Sequence, residues 1–143
     1  MGELVACFMD TGSTLDLPRA LAVFERHRQL FNARSRDAWL DNFVEEPFVE
    51  EPAHSPRRHG RAHFSAILDA VVASGSLAQI EPPEVAVLNG NELALHLRVS
   101  NGHPLTQADL HIIEIFTISS CGRISGIRAF VPDDALPSNL KTR

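Results

Sequence analysis

The sequence contains no tyrosine, a single tryptophan and only two cysteines. Cys7 and Cys121 lie far apart and have no metal-type spacing, so we expect reduced thiols in a cytoplasmic protein. No apolar run approaches the ~20 residues that a membrane-spanning helix needs. The first residues include no basic leader, and Gly2 is followed by Ala6 where a myristoylation motif requires Ser or Thr. These absences predict no contact with a membrane.

Basic residues are outnumbered by acidic ones, 13 to 18, which gives a net charge of −5. This balance argues against nucleic acid as a partner, because nucleic-acid binding depends on a basic surface. The length of 143 residues and the hydrophobic content of 44% suit one soluble domain with one core. We expect a lead-in over residues 1–15, a single domain over 16–132 and a polar tail over 133–143.

The apolar pattern predicts three helices followed by a series of strands. The predicted helices span residues 17–33, 35–43 and 60–73. The predicted strands follow an extended segment at 45–52 and span residues 84–88, 92–100, 110–118 and 123–131. This order is typical of an α+β fold in which helices cover one face of a curved antiparallel sheet. We expect the sheet and the helices to enclose a cone-shaped apolar cavity.

Glu114 stands out because it lies in the middle of the strand LHIIEIFTI, on its more apolar side. A carboxylate there is costly unless it is paired or keeps its proton. Two interpretations give Glu114 no function: this side of the strand faces solvent at Glu114, or an arginine pairs with the carboxylate. Arg128 is out of step with Ile127 and Ala129, so we expect it to point outward or to lie at an interface. The alternative hypothesis is that Glu114 is a functional acid in a pocket.

Two further polar groups interrupt apolar patterns. His27 falls within the apolar stripe of the first helix, between Phe24 and Phe31. If His27 has only a structural role, we expect it at the edge of the core, with a hydrogen bond to a backbone carbonyl. Glu51 shares one side of the extended segment with Val49, and its structural interpretation is a solvated acid in a glutamate-rich loop.

The loop over residues 54–63 is rich in histidine and arginine. His54, His59 and His63 have no familiar ligand spacing, and the neighbouring arginines repel cations. We therefore expect a solvated loop without a metal, and contact with an anionic ligand at the cavity mouth is the alternative.

Several segments together resemble a known superfamily. VEEP at 49–52, Gly60 and IIEIFTISSCGRISGIRAF at 112–130 are similar to the steroid Δ5-isomerase branch of the superfamily that contains nuclear transport factor 2. Polyketide cyclases of the SnoaL-like type belong to the same superfamily. The resemblance covers roughly residues 20–131. It implies an NTF2-like fold, a homodimer formed through the sheet face, and no metal or organic cofactor.

The resemblance also implies roles for the three polar groups. The family's general base precedes a proline, which corresponds here to Glu51. Its oxyanion-side acid lies two residues before a strand phenylalanine, which corresponds to Glu114. Its second oxyanion donor is a tyrosine, and His27 occupies that position here. Both acids are glutamates where well-known isomerases have aspartates. The expected pocket lining is Phe24, Phe31, Trp39, Val49, Phe64, Leu68, Leu95, Leu97, Ile112, Phe116, Ile127 and Ala129.

Three functions are compatible with these residues. The first is an isomerase that moves a proton beside the carbonyl of a Δ5-3-ketosteroid or a similar flat apolar ketone. The second is another acid–base enzyme of this fold, such as a polyketide cyclase, a dehydratase or an epoxide hydrolase. The third is a non-catalytic module that binds a small apolar molecule. The absence of the tyrosine favours the last two, and the pair of acids favours the first two.

Overall fold

The computed structural model describes residues 15–136 of the chain. It contains three α-helices, α1 (Leu17–Asn32), α2 (Arg36–Leu40) and α3 (Arg61–Ala73), and a short 3-10 helix, Asp133–Ala135. Helix α1 begins where the sequence predicts, because the Asp16 side chain accepts a hydrogen bond of 2.9 Å from the backbone N–H of Arg19. Within the described range, no helix has the length and apolar character required to span a bilayer.

The seven strands form one curved sheet that does not close. They are β1 (Phe43–Glu50), β2 (Arg58–His59), β3 (Gln79–Ile80), β4 (Val85–Asn89), β5 (Glu92–Ser100), β6 (Leu110–Ile118) and β7 (Ile124–Phe130). The order across the sheet is β2-β1-β7-β6-β5-β3, and β4 pairs with the same edge of β5 as β3 does. Strands β1 and β7 run parallel, whereas the other pairs are antiparallel. The α+β class is therefore confirmed, with a mixed rather than purely antiparallel sheet.

The inner face of the sheet is apolar, and the helices cover it. Leu93, Leu95 and Leu97 alternate along β5 with half-buried or exposed residues of the outer face. Above this face, aromatic side chains from helices and strands form a single core. Phe43 and Phe64 have ring centroids 4.3 Å apart, which ties β1 to α3. This alternation fixes which side chains of each strand can reach a site between sheet and helices.

Three details of the sequence prediction need correction. The second helix ends at Leu40 rather than at residue 43, because Phe43 begins β1 and is fully buried. The short strands β2 and β3 were not predicted, since two residues are too few to show a period. Cys121 is disulfide-bonded, which corrects the expectation of a reduced thiol there. Cys7, the predicted lead-in before residue 15 and the tail after residue 136 lie outside the described residues.

Candidate active site

Glu114 lies on the inner face of β6 and is buried, with 9% of its surface exposed. The register places Leu95 on one side of it and Ala129 on the other, and neither offers a charge. Burial raises the pKa of the Glu114 carboxyl to about 8, and the negative charge of Glu51 contributes to this shift. No cation of the described residues contributes. Glu114 therefore keeps its proton at neutral pH and can donate a hydrogen bond.

Glu51 follows β1 directly, at the point where the chain leaves the sheet. The last paired residues are Glu50 and Arg128, so Glu51 comes level with Ala129. The backbone N–H of Ala53 donates to the Ala129 carbonyl over 2.6 Å and holds this turn against β7. Ala129 in turn pairs with Glu114. The two acids thus lie in one row across the inner face, on either side of a small residue.

The Glu51 side chain is solvent-exposed, yet burial raises the pKa of its carboxyl. The exposure agrees with the structural interpretation of a solvated acid, whereas the raised pKa reflects protein atoms around the carboxyl group. Its exposure distinguishes it from Glu114, which is closed off from water.

The two carboxyl groups are close enough to affect one another. The charge of Glu51 contributes to the raised pKa of Glu114, and burial raises the pKa of Glu51. Two acids that share a site can serve as a base and an acid in one reaction when one is ionised and the other keeps its proton.

His27 is buried in α1 beneath a group of aromatic rings. Its ring centroid lies 5.0 Å from that of Phe116, which is two residues along β6 from Glu114 on the same face. Burial lowers the pKa of His27 to about 3, so the imidazole is neutral at neutral pH. The indole Nε1–H of Trp39 donates to His27 Nδ1 over 3.1 Å. The hydrogen-bond partner of His27 is therefore the Trp39 side chain, and not the backbone carbonyl expected for a purely structural histidine.

The bond from Trp39 decides where the proton of His27 resides. A nitrogen that accepts a hydrogen bond cannot carry the proton of a neutral imidazole, so the proton is on Nε2. This tautomer leaves His27 with one N–H, at Nε2, that can donate a hydrogen bond. The sequence prediction treated Trp39 only as pocket lining, and no spacing signal connects it with His27.

The arginines nearest to Glu51 and Glu114 pair with Glu50 instead. Arg128 and Arg57 approach the Glu50 carboxylate at 2.8 Å and 3.1 Å. Arg57 also lies over the ring of Phe48, 3.8 Å from its centroid. Because Phe48 and Glu50 point away from Val49 and Glu51 along β1, these cations lie on the outer face. The outward orientation predicted for Arg128 is thereby confirmed.

The positions predicted to line the pocket all point into the interior. Ten are buried: Phe24, Trp39, Val49, Phe64, Leu68, Leu95, Leu97, Phe116, Ile127 and Ala129. Phe31 and Ile112 are partly buried and pack against the same core. All of these side chains except Ala129 therefore belong to one hydrophobic core between the helices and the sheet. Their contact with a substrate stays a prediction.

The loop over residues 54–63 is held by contacts to the body of the protein. His54 packs edge-on against Phe130, with ring centroids 5.8 Å apart. Arg61 donates to the backbone carbonyls of Val44 and Phe43. In the part of the chain that the structure describes, its histidines do not form a cluster that could ligate a metal.

Three helices over a curved, open seven-stranded sheet define the NTF2-like α+β fold, which confirms the fold expected from the sequence. Among solved structures, the chain is similar to SalBIII, described as an epoxide hydrolase/cyclase-like enzyme with a role in pyran ring formation in the polyether salinomycin. The TM-score is 0.70 at 21% sequence identity, over 82% of this chain and 93% of SalBIII. No known protein-family profile and no curated protein matches the chain.

Proposed function

We propose that this protein is an acid–base enzyme for an apolar substrate, in which Glu51 is the base and Glu114 is the acid. The observation that supports this proposal is the placement of the two acids in one row across the inner face, on either side of Ala129. The buried Glu114 keeps its proton to a pKa of about 8, and the charge of Glu51 contributes to that shift. The neighbouring arginines pair with Glu50 and not with these acids.

The reaction that uses all three polar groups is proton transfer beside a carbonyl. Glu51 removes a proton from the carbon next to the carbonyl, and the electron pair moves onto the carbonyl oxygen. The protonated Glu114 and the Nε2–H of His27 hold that oxygen by hydrogen bonds while it carries negative charge. The protonated Glu51 then returns the proton to another carbon of the conjugated system. The net result is a shifted double bond, without any oxidant or cofactor.

The surroundings favour a flat, apolar ketone as the substrate. His27 is enclosed by the rings of Phe24, Phe31, Trp39, Phe43 and Phe116, with centroids 5.0 to 6.5 Å away. Such a wall interacts with a ring system through apolar surface and offers few polar groups. A Δ5-3-ketosteroid carries one ketone at the end of a flat apolar skeleton, and it is the first substrate to test.

The likeness to SalBIII favours a second candidate, the opening of an epoxide by a hydroxyl group or by water. Glu51 would take the proton of the attacking hydroxyl as its oxygen bonds to an epoxide carbon. Glu114 would give its proton to the epoxide oxygen as the carbon–oxygen bond breaks. Attack by a hydroxyl of the same molecule would close a cyclic ether, and attack by water would give a diol.

Two assays on the same protein separate these candidates. The appearance of a conjugated enone from a Δ5-3-ketosteroid is followed by ultraviolet absorbance, and the conversion of an apolar hydroxy-epoxide is followed by chromatography. Enone formation that Glu51→Gln suppresses supports the isomerase. Conversion of the epoxide alone, with the same sensitivity to Glu51→Gln, supports the second candidate. Binding of both compounds without turnover of either would overturn the enzymatic proposal in favour of a binding module.

A matched control is available within β1. Glu45 is an exposed acid of the same strand, so Glu45→Gln removes a carboxylate without touching the site. Unchanged activity of this variant shows that an effect of Glu51→Gln is local.

A further inference from the structure

Three potential metal ligands meet on the outer face of the sheet, opposite to the candidate active site. His96 lies on β5 and His111 on β6, and both alternate with inward-facing residues. Glu84 precedes β4, and its backbone N–H donates to the His96 carbonyl over 2.9 Å. His111 pairs with Arg98, two residues along β5 from His96, which makes the two histidines diagonal neighbours.

The side chains of these residues are in contact. His96 Nε2 lies 3.0 Å from His111 Nδ1, and His96 Nδ1 lies 3.5 Å from a carboxylate oxygen of Glu84. One ligand atom from each of the three lies within 4.8 Å of the other two. We propose that Glu84, His96 and His111 form a Zn²⁺-binding site on the outer face of the sheet.

The donor set suits zinc. Two imidazoles and one carboxylate are a common set of three protein ligands for zinc, with bonds of about 2.0 to 2.2 Å. Tetrahedral bonds of this length place neighbouring ligand atoms about 3.3 Å apart. The two histidine nitrogens are already close to this separation. Because His111 and Glu84 are exposed, rotation of their side chains is enough to bring the third ligand atom into range.

The surroundings do not oppose a cation. Arg98 is the cationic residue on the same face of β5, and it is paired with Asp109 at 2.8 Å and with Glu81 at 3.7 Å. Those two acids offset the positive charge of Arg98. Arg98 therefore does not repel a divalent cation from the two histidines. The ligands themselves sit on paired strands, which limits the rearrangement that binding requires.

A recess beside the two histidines leaves room for a fourth ligand. It has a volume of about 290 Å³, and apart from the two histidines its walls are Ile112, Ile113, Phe130, Val131 and Pro132. With three protein ligands, a tetrahedral zinc ion keeps one position for water or for a small anion. This inference does not depend on the proposed acid–base function, because the outer-face residues take no part in it.

The test is direct titration of the full chain, free of any histidine tag, with Zn²⁺ by isothermal calorimetry. We expect one ion per chain with a dissociation constant in the micromolar range or below. His111→Gln and His96→Gln should each weaken binding at least tenfold, and Glu84→Gln should weaken it less. Substitution by Co²⁺ gives a second readout, since a four-coordinate site shows intense visible absorption.

His59→Gln is the matched control, because His59 is an exposed strand histidine in the other histidine-rich segment. It should bind Zn²⁺ like the unsubstituted protein. Circular dichroism shows whether each variant is folded, and the exposed His111 provides a variant if His96→Gln fails to fold. Absence of saturable binding below roughly 100 µM would overturn the site. Equal binding by His111→Gln and the unsubstituted protein would also overturn it, and would leave the three residues as a hydrogen-bonded chain.

Discussion

The indole N–H of Trp39 donates to Nδ1 of His27 across 3.1 Å in the protein interior. This bond and the burial of the imidazole both favour the neutral ring, and together they direct its remaining proton to Nε2. A tyrosine hydroxyl can rotate to donate or to accept, whereas this imidazole presents a fixed donor. In the proposed reaction, His27 would therefore hold an oxygen anion without ever supplying a proton.

Trp39→Phe should release this constraint. We expect a loss of about 1 to 3 kcal/mol in the free energy of unfolding, because a buried acceptor loses its donor. Nitrogen-15 NMR of the imidazole should show the proton on Nε2 in the unsubstituted protein and a mixture of both tautomers in the variant. Detection of the Nδ1-protonated form in the unsubstituted protein would contradict the hydrogen-bond assignment. Leu40→Ala, at a partly buried neighbour in the same short helix, serves as the control for a general loosening of α2.

Glu51→Gln should remove most of the activity. An amide cannot accept a proton from carbon, and the loss of a general base costs on the order of 10²- to 10⁴-fold in rate. The ratio kcat/KM with the substrate that turns over is the measurement. Glu45→Gln should match the unsubstituted protein. Full activity of Glu51→Gln would remove this residue from the proposed mechanism.

Glu114→Gln should lose less activity than Glu51→Gln, because an amide N–H can still donate to an oxygen anion. The unsubstituted enzyme should become less active as the pH rises past about 8, where Glu114 gives up its proton. The variant should lack this decline, since its donor does not ionise. A pH profile of kcat/KM checks both statements, and an identical alkaline limb in the two proteins would exclude Glu114 as the donor.

Two buried groups should shape the dependence of stability on pH. The folded-state pKa of Glu114 is raised from 4.5 to about 8, so the unfolded chain loses this proton first and stability falls as the pH rises between these values. The folded-state pKa of His27 is lowered from 6.5 to about 3, so stability falls as the pH drops between these values. Each slope is about 1.4 kcal/mol per pH unit.

The slopes of His27 and Glu114 oppose one another between pH 4.5 and 6.5 and offset each other there. Above 6.5 the His27 contribution no longer changes, and stability should decline up to about pH 8 because folded Glu114 keeps its proton. The raised pKa of Glu51 adds to this decline in the same direction. Urea denaturation across roughly pH 5 to 9 measures this curve. Glu114→Gln should make the decline above 6.5 shallower. A decline of unchanged slope in this variant would assign the effect to another group.

Gly126→Ala should destabilise the fold. Gly126 lies opposite Phe48 in the parallel pair of β1 and β7, and a Cβ atom on it would overlap the Phe48 ring. Overpacking of this kind costs about 1 to 3 kcal/mol. Urea denaturation gives the value, and the double variant Phe48→Leu/Gly126→Ala should recover part of it. A double variant that is as unstable as the sum of the single changes would show that the ring is not the cause.

The sequence was sufficient for the fold class and for the buried faces on which Glu114 and His27 lie. Alternation along residues 110–118 placed Glu114 on a buried face, and the helical stripe placed His27 inward. The proline after Glu51 marked the end of the extended segment. These predictions hold because each depends on a local period that the side chains of one element reveal.

Contacts between elements distant in the chain were not predictable in the same way. The parallel pairing of β1 with β7, the donor from Trp39 to His27 and the meeting of His96 with His111 all depend on register. A period shows which face a residue takes, but it does not show which residue of another element lies opposite. Alternation along the two strands shows that His96 and His111 both point outward. Only the register of the hairpin shows that they lie beside each other.

The position of β7 in the sheet has a consequence for synthesis of the chain. This strand lies between β1, which leads to Glu51, and β6, which carries Glu114, although it is the last of the seven described strands in chain order. Until it has emerged, the two carboxyl groups belong to unconnected halves of the sheet. A nascent chain or a fragment that stops before Ile124 therefore has both acids and no way to hold them in one row, so assembly of the site waits for the last strand.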